Sequence, residues 1–132
     1  GAQGAYWELQ DAGLFYAFAS VRPGGDVGEV ERLFMAEIQR LRDELVSPAE
    51  LAKVKRQIEV DLLSGMETAN EKASRIAREY VSFGRIRSVD ERLKAFAAVT
   101  AEDVQRVART YFRDGRRSVV HVVPPPRGEA SK

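Results

Sequence analysis

Between Val27 and Tyr111 the apolar residues recur three and four positions apart, a spacing that an α-helix turns into one continuous face. Val27, Val30, Phe34, Ile38, Leu41 and Leu45 make the first stripe, with Glu31, Arg32, Arg40 and Asp43 mostly on the wet side. Leu51, Val54, Ile58 and Leu62 make a second, and the spacing resumes through Ala73, Ile76, Ala77 and Tyr80. Gly65 and Asn70 loosen or bend this second helix without obliging it to end, so one long helix is expected, stopped at Gly84. Leu93 with Phe96, then Val104, Val107, Ala108 and Tyr111, mark two shorter helices.

Start signals agree with the stripes. In Ser47-Pro48-Ala49-Glu50 the serine oxygen can cap an orphan amide, proline fits the first turn, and glutamate returns the bond. Asp26 with Glu29, Ser88-Val89-Asp90-Glu91 and Thr100-Ala101-Glu102-Asp103 open the other helices in the same way.

The two ends of the chain read as β-structure. Ala5 to Leu9 carries Tyr6 and Trp7, Gln10-Asp11-Ala12-Gly13 is a turn signal, and Leu14 to Ala19 follows. An antiparallel hairpin is expected, its second strand apolar on both faces as a covered central strand would be. Ser118 to Val123 reads as a last strand, ended by Pro124-Pro125-Pro126. The fold class is therefore α+β: a small antiparallel or mixed sheet with helices packed on one face. Residues 1–124 are expected to form part of such a domain, and 125–132 a disordered tail. Three strands are few for so much apolar helix surface, which points to a missing partner, either upstream chain or another subunit. The opening Gly1-Ala2-Gln3-Gly4 reads as an excision point, with any targeting signal upstream of it.

Chemistry is bounded by two counts. The 132 residues contain no cysteine and one histidine, His121, so disulfides, thiolate nucleophiles and Cys-ligated zinc are excluded. A catalytic zinc site takes three protein ligands, commonly two or more of them histidines, which one histidine cannot supply. No stretch approaches the roughly 20 apolar residues that span a bilayer. A net charge of +1 speaks against nucleic acid.

Four groupings invite a sharper reading. His121 alternates with Val120 and Val122, and without carboxylate company it reads as a structural histidine rather than a ligand. Glu67 and Glu71, four apart, read as a solvated charged face beside Lys72 and Arg75. Arg85, Arg87 and Arg92, and likewise Arg113, Arg116 and Arg117, read as cations at helix ends and turns. Tyr6, Trp7, Phe15, Tyr16 and Phe18 read as core; exposed, they would line a peptide groove beside a strand edge open to main-chain pairing. Pro23-Gly24-Gly25 lacks the lysine of a phosphate-binding loop.

Several segments, taken in order, resemble one family. Asp11-Ala12-Gly13-Leu14-Phe15 is similar to a "D-x-G-L-F" turn into a strand. Val46 to Leu51 with Lys53 to Ile58 resembles a "V-T-x-x-E-L-x-x-A-K-x-Q" helix start. Leu62 to Ala73 resembles "L-x-x-x-E-T-x-x-x-x-A", Val99 to Phe112 a closing helix, and Val119 to Pro124 a final valine-rich strand. Together they cover about residues 5 to 124 and resemble the insulysin/pitrilysin-type zinc peptidases and their processing-peptidase relatives.

The resemblance implies repeated α+β domains closing around an unfolded peptide, with zinc in a domain bearing an H-x-x-E-H helix. That motif does not occur in this sequence. The family's Arg-x6-Tyr substrate grip is missing as well: Ala73 stands in the arginine position for Tyr80, Leu9 for Tyr16, and Tyr111 has no arginine there. No catalytic, cofactor-binding or metal residue is carried over. The implied role is a non-catalytic C-terminal region that helps enclose peptide substrates, zinc lying in the catalytic domain of the parent protein. The alternative is an inactive structural or interaction subunit of the same fold. Implied partners are an upstream catalytic domain or partner subunit and unfolded peptide; the uncovered apolar surface adds a homo-oligomer, and the charge balance speaks against nucleic acid.

Overall fold

The computed structural model describes residues 1–8 and 12–123; of Glu8 it describes the backbone. An antiparallel hairpin, β1 (Ala2–Glu8) and β2 (Gly13–Ala19), precedes five helices: α1 (Val27–Asp43), α2 (Pro48–Ser64), α3 (Ala69–Phe83), α4 (Val89–Ala98) and α5 (Ala101–Tyr111). A 3-10 turn at Asp114–Arg116 follows. The architecture is α+β, as expected. The tail expected over 125–132 and most of the Gln10-Asp11-Ala12-Gly13 turn lie outside the described residues.

Each helix begins on a side-chain cap. Asp26 accepts from the Gly28 amide at 2.8 Å, but Glu29 does not return the bond; it pairs with Arg32 instead. Ser47 and Glu50 exchange bonds at 3.2 and 3.1 Å, with Pro48 in the first turn of α2. Ser88 with Glu91 and Thr100 with Asp103 form the same reciprocal boxes.

The long helix is not one helix. The chain leaves the α-helix at Gly65 and re-enters it at Ala69, because Thr68 accepts from the Glu71 amide at 3.2 Å and Glu71 accepts from the Thr68 amide at 3.0 Å. The Thr68-Ala69-Asn70-Glu71 box is a start signal of the kind that marks α2, and it diverts the amides that a continuous helix would need. Gly84 then ends α3 as expected, with φ of +65°.

The last strand is also absent. Ser118 to Val123 carries no strand pairing, and among the described residues the sheet is the two-stranded hairpin. Valine content gives a segment the propensity for a strand, but a strand also needs a neighbour. Here His121 Nε2 lies 2.9 Å from Glu31 Oε2, which ties the segment to α1 instead.

In the hairpin, Tyr6 lies opposite Phe15, Ala5 opposite Tyr16 and Trp7 opposite Leu14. Phe15, Ala17 and Tyr6 therefore share one face, and Leu14, Tyr16, Phe18 and Trp7 the other. The Phe15 face meets the helices through Phe112, with ring centroids 4.9 Å apart. The expectation that the aromatics form core fails: Tyr6 and Trp7 are each 62% exposed and Phe18 55%.

Helix packing is sparse. α1 lies against α5, where Arg109 Nε donates to the Arg42 carbonyl at 2.6 Å. α2 lies against α4, where Lys55 Nζ donates to the Ala97 carbonyl at 2.6 Å. Among the described residues only Leu62 and Ala108 are buried apolar side chains. Leu14, Phe18, Leu33, Val54, Leu63 and Ile76 are each about half exposed. The helices and hairpin thus leave a large apolar surface uncovered.

Candidate functional site

His121 is engaged with Glu31 on a half-exposed surface, and the described residues hold no group of three or more His, Cys, Asp or Glu fit to bind a metal. Catalytic zinc therefore does not fit the residues described here. Glu67 and Glu71 do not share a helix face. Glu67 precedes the cap, whereas Glu71 closes it, and hydrogen bonds from the Thr68 side chain and backbone hold its carboxyl below the ordinary carboxylate value.

The arginine cluster at residues 85–92 is a structural knot. Its centre is Glu79, on α3, which is 4% exposed. Arg87 donates to it through two nitrogens, Nε at 2.8 Å and Nη2 at 3.0 Å, and Arg92 Nη1 donates to the same carboxylate. Arg87 also lies over the Phe83 ring, 3.9 Å from its centroid. The bonds from Arg87, helped by the charge of Arg92, hold the Glu79 carboxyl below its ordinary value despite burial. Arg85 joins the periphery through Glu91 at 3.5 Å. The knot thus fixes the end of α3 against the start of α4. Of the second cluster, Arg113 donates to the Arg109 carbonyl at 3.4 Å; Arg116 and Arg117 make no ion pair among the described residues.

Glu79 is not among the residues that the sequence singles out. The signal was a carboxylate sharing a helix face with Ile76 and Phe83, three before and four after it, with two arginines downstream. An acid on an otherwise apolar face needs a buried partner.

Two concavities flank this frame. One, of about 600 Å³, is apolar and lies among α1, α4 and α5, walled by Leu41, Val99, Val104, Phe112 and Phe15. The other, of about 720 Å³, lies between the Tyr6–Trp7 stretch of β1 and α3. Tyr6 and Trp7 wall it on one side, and Arg75, Arg78, Ser74 and Ser82 on the other. Arg75 Nη1 donates to the Leu62 carbonyl at 3.1 Å. Its guanidinium is held below the ordinary arginine value, first by burial and then by the neighbouring charge of Arg92. No helix among the described residues is long and apolar enough to cross a membrane.

No family model matches the chain. Individual relatives do. An uncharacterized zinc protease of Streptomyces coelicolor is 30% identical over 115 residues, 87% of this chain and 24% of the relative. Zinc protease PqqE of Helicobacter pylori is 26% identical over 89% of this chain and 26% of its own length. The mitochondrial-processing peptidase subunit beta of Blastocladiella emersonii is 29% identical over 86% of this chain and 24% of its own. The chain thus spans about a quarter of the length of these curated relatives. In fold it is similar to a chain of complex III2 from Candida albicans with Inz-5 bound, at a TM-score of 0.75 and 22% identity, over 86% of this chain and 27% of that one. That fold likeness agrees with the sequence relationship along nearly the whole chain, and the relatives' names support a zinc peptidase family of the insulysin/pitrilysin type.

Proposed function

We propose that this chain is a non-catalytic, C-terminal region of a zinc metallopeptidase, residues 1–124 forming part of one α+β domain that helps enclose and bind peptide substrate. The observation that carries the reading is the uncovered aromatic hairpin: Trp7, Leu14, Tyr16 and Phe18 form an exposed face on a sheet of two strands. A two-stranded sheet has unpaired backbone donors and acceptors along its outer edges, to which an extended peptide can add. The names of the relatives suggest the chemistry, and the poor fit of His121 to a zinc site supports a metal held elsewhere in the parent protein.

The test uses the purified chain, a fluorescently labelled unstructured peptide and added zinc. The expected result is peptide binding by anisotropy, no peptide cleavage by mass spectrometry, and no zinc retained after dialysis. Stoichiometric zinc that disappears in His121→Ala would overturn the non-catalytic assignment, and so would cleavage. Absence of peptide binding would select a structural subunit of the same fold instead.

A further inference from the structure

Glu71, Arg75, Arg78 and Ser82 recur four, three and four apart, so they form one ridge of α3, and that ridge walls the cleft beside the hairpin. The two acids within reach are already committed. Glu71 closes the Thr68 cap, and Glu79 is taken by Arg87 and Arg92. Arg75 gives one bond to the Leu62 carbonyl, and Arg78 makes no ion pair or hydrogen bond among the described residues. Of the three guanidiniums that line the cleft, Arg92 is bound to Glu79, which leaves Arg75 and Arg78 one turn apart with the Glu71 and Glu79 carboxylates engaged elsewhere. Like charges at this spacing repel, and each guanidinium offers a planar fork of five N–H donors.

We infer that this cleft binds the carboxylate of an acidic peptide, with Arg75 and Arg78 clasping the anion and Trp7 and Tyr6 covering the peptide beside it. The inference rests on the peptide-binding reading above and adds the chemistry that the peptide must carry. Guanidinium forks match carboxylates in geometry, and the Ser74 and Ser82 hydroxyls on the same wall add neutral donors. The aromatic wall suits the aliphatic stem of a glutamate side chain. A nucleic-acid backbone is disfavoured, because the two cations sit in a cleft on a chain of net charge +1 and not on a basic stripe.

Trp7 is the sole tryptophan of the sequence, so its emission reports on binding beside the hairpin, and Arg78→Gln assigns the response to this cleft. The probes are a blocked, tryptophan-free pentapeptide with two glutamates, its glutamine analogue, and inorganic phosphate, titrated at low salt with fluorescence anisotropy of the labelled peptides run in parallel. The glutamate peptide should shift Trp7 emission saturably. The glutamine analogue, and the glutamate peptide on Arg78→Gln, should each bind about tenfold more weakly. Arg78 is exposed, so circular dichroism of the variant should match the parent. Equal binding of the two peptides, indifference to Arg78→Gln, or anisotropy without a Trp7 response would overturn the site while leaving peptide binding intact. Phosphate binding as tight as the glutamate peptide would overturn the peptide assignment, and no binding by either readout would overturn both readings.

Discussion

Replacing Glu79 with glutamine keeps the size of the side chain but removes the charge on which Arg87 and Arg92 converge. The carboxylate is nearly inaccessible, and it accepts three N–H bonds from the two guanidiniums. Removing one partner of a buried ion pair costs about 3–5 kcal/mol, chiefly because the other charge stays buried without compensation. Here the arginine side chains keep 26% and 22% of their surface in water, so solvent reclaims part of that cost, and about 2–3 kcal/mol is expected for Glu79→Gln. Urea unfolding followed by circular dichroism measures it as a lower midpoint at unchanged slope. A second signature is pH. Because Arg87 and Arg92 lower the Glu79 value from its ordinary 4.5, the folded chain binds a proton there less readily than the unfolded chain. The stabilisation is complete above that ordinary value and is lost as the pH falls through the lowered folded-state value. Several cap carboxylates also titrate in this region, so the quantity to compare is the difference between parent and variant, which should shrink on acidification. A loss below about 1 kcal/mol at neutral pH, or a difference that does not shrink, would place the trio among exposed ion pairs and refute the reasoning.

Three further outcomes follow from the same geometry. Thr68→Ala removes the hydroxyl that opens α3 and should cost about 1 kcal/mol in urea unfolding. Gly84→Ala places a Cβ on a backbone with φ of +65° and should cost about 1–2 kcal/mol by the same assay. Phe18→Lys, on the open hairpin face, should change stability by no more than about 0.5 kcal/mol while lowering concentration-dependent self-association in light scattering.

Local signals were readable in the sequence, and long-range ones were not. Asp26, Ser47, Ser88 and Thr100 each cap the helix assigned to them, and Gly84 ends α3 in the left-handed region, because these effects act within four residues. Thr68 obeys the same rule, but the apolar spacing on either side of it suggested continuity. Periodicity carries no information about a four-residue interruption that keeps the stripe in phase. The last strand and the aromatic core failed for a different reason. Val120 and Phe18 have the side chains of covered residues, and whether they are covered depends on what packs against them. Glu79 depended on arginines eight and thirteen residues away, across a turn whose direction the sequence leaves open.

The contrast between strong caps and a thin core bears on how the chain holds its shape. Its helices run from 10 to 17 residues, near or below the length at which an isolated helix becomes marginal in water. Caps add about 1 kcal/mol each, which offsets fraying but not the nucleation cost. The remainder must come from contacts between helices, and with Leu62 and Ala108 the buried apolar side chains among the described residues, that contribution is small. Polar ties bear an unusual share: Glu79 joins α3 to α4, Arg109 joins α5 to the end of α1, and Lys55 joins α2 to the end of α4. Such ties are directional, so they fix the relative placement of helices without demanding a filled interior. Helices placed in this way leave their apolar faces and the hairpin available to whatever covers them, and that availability is what the proposed enclosure of a peptide requires.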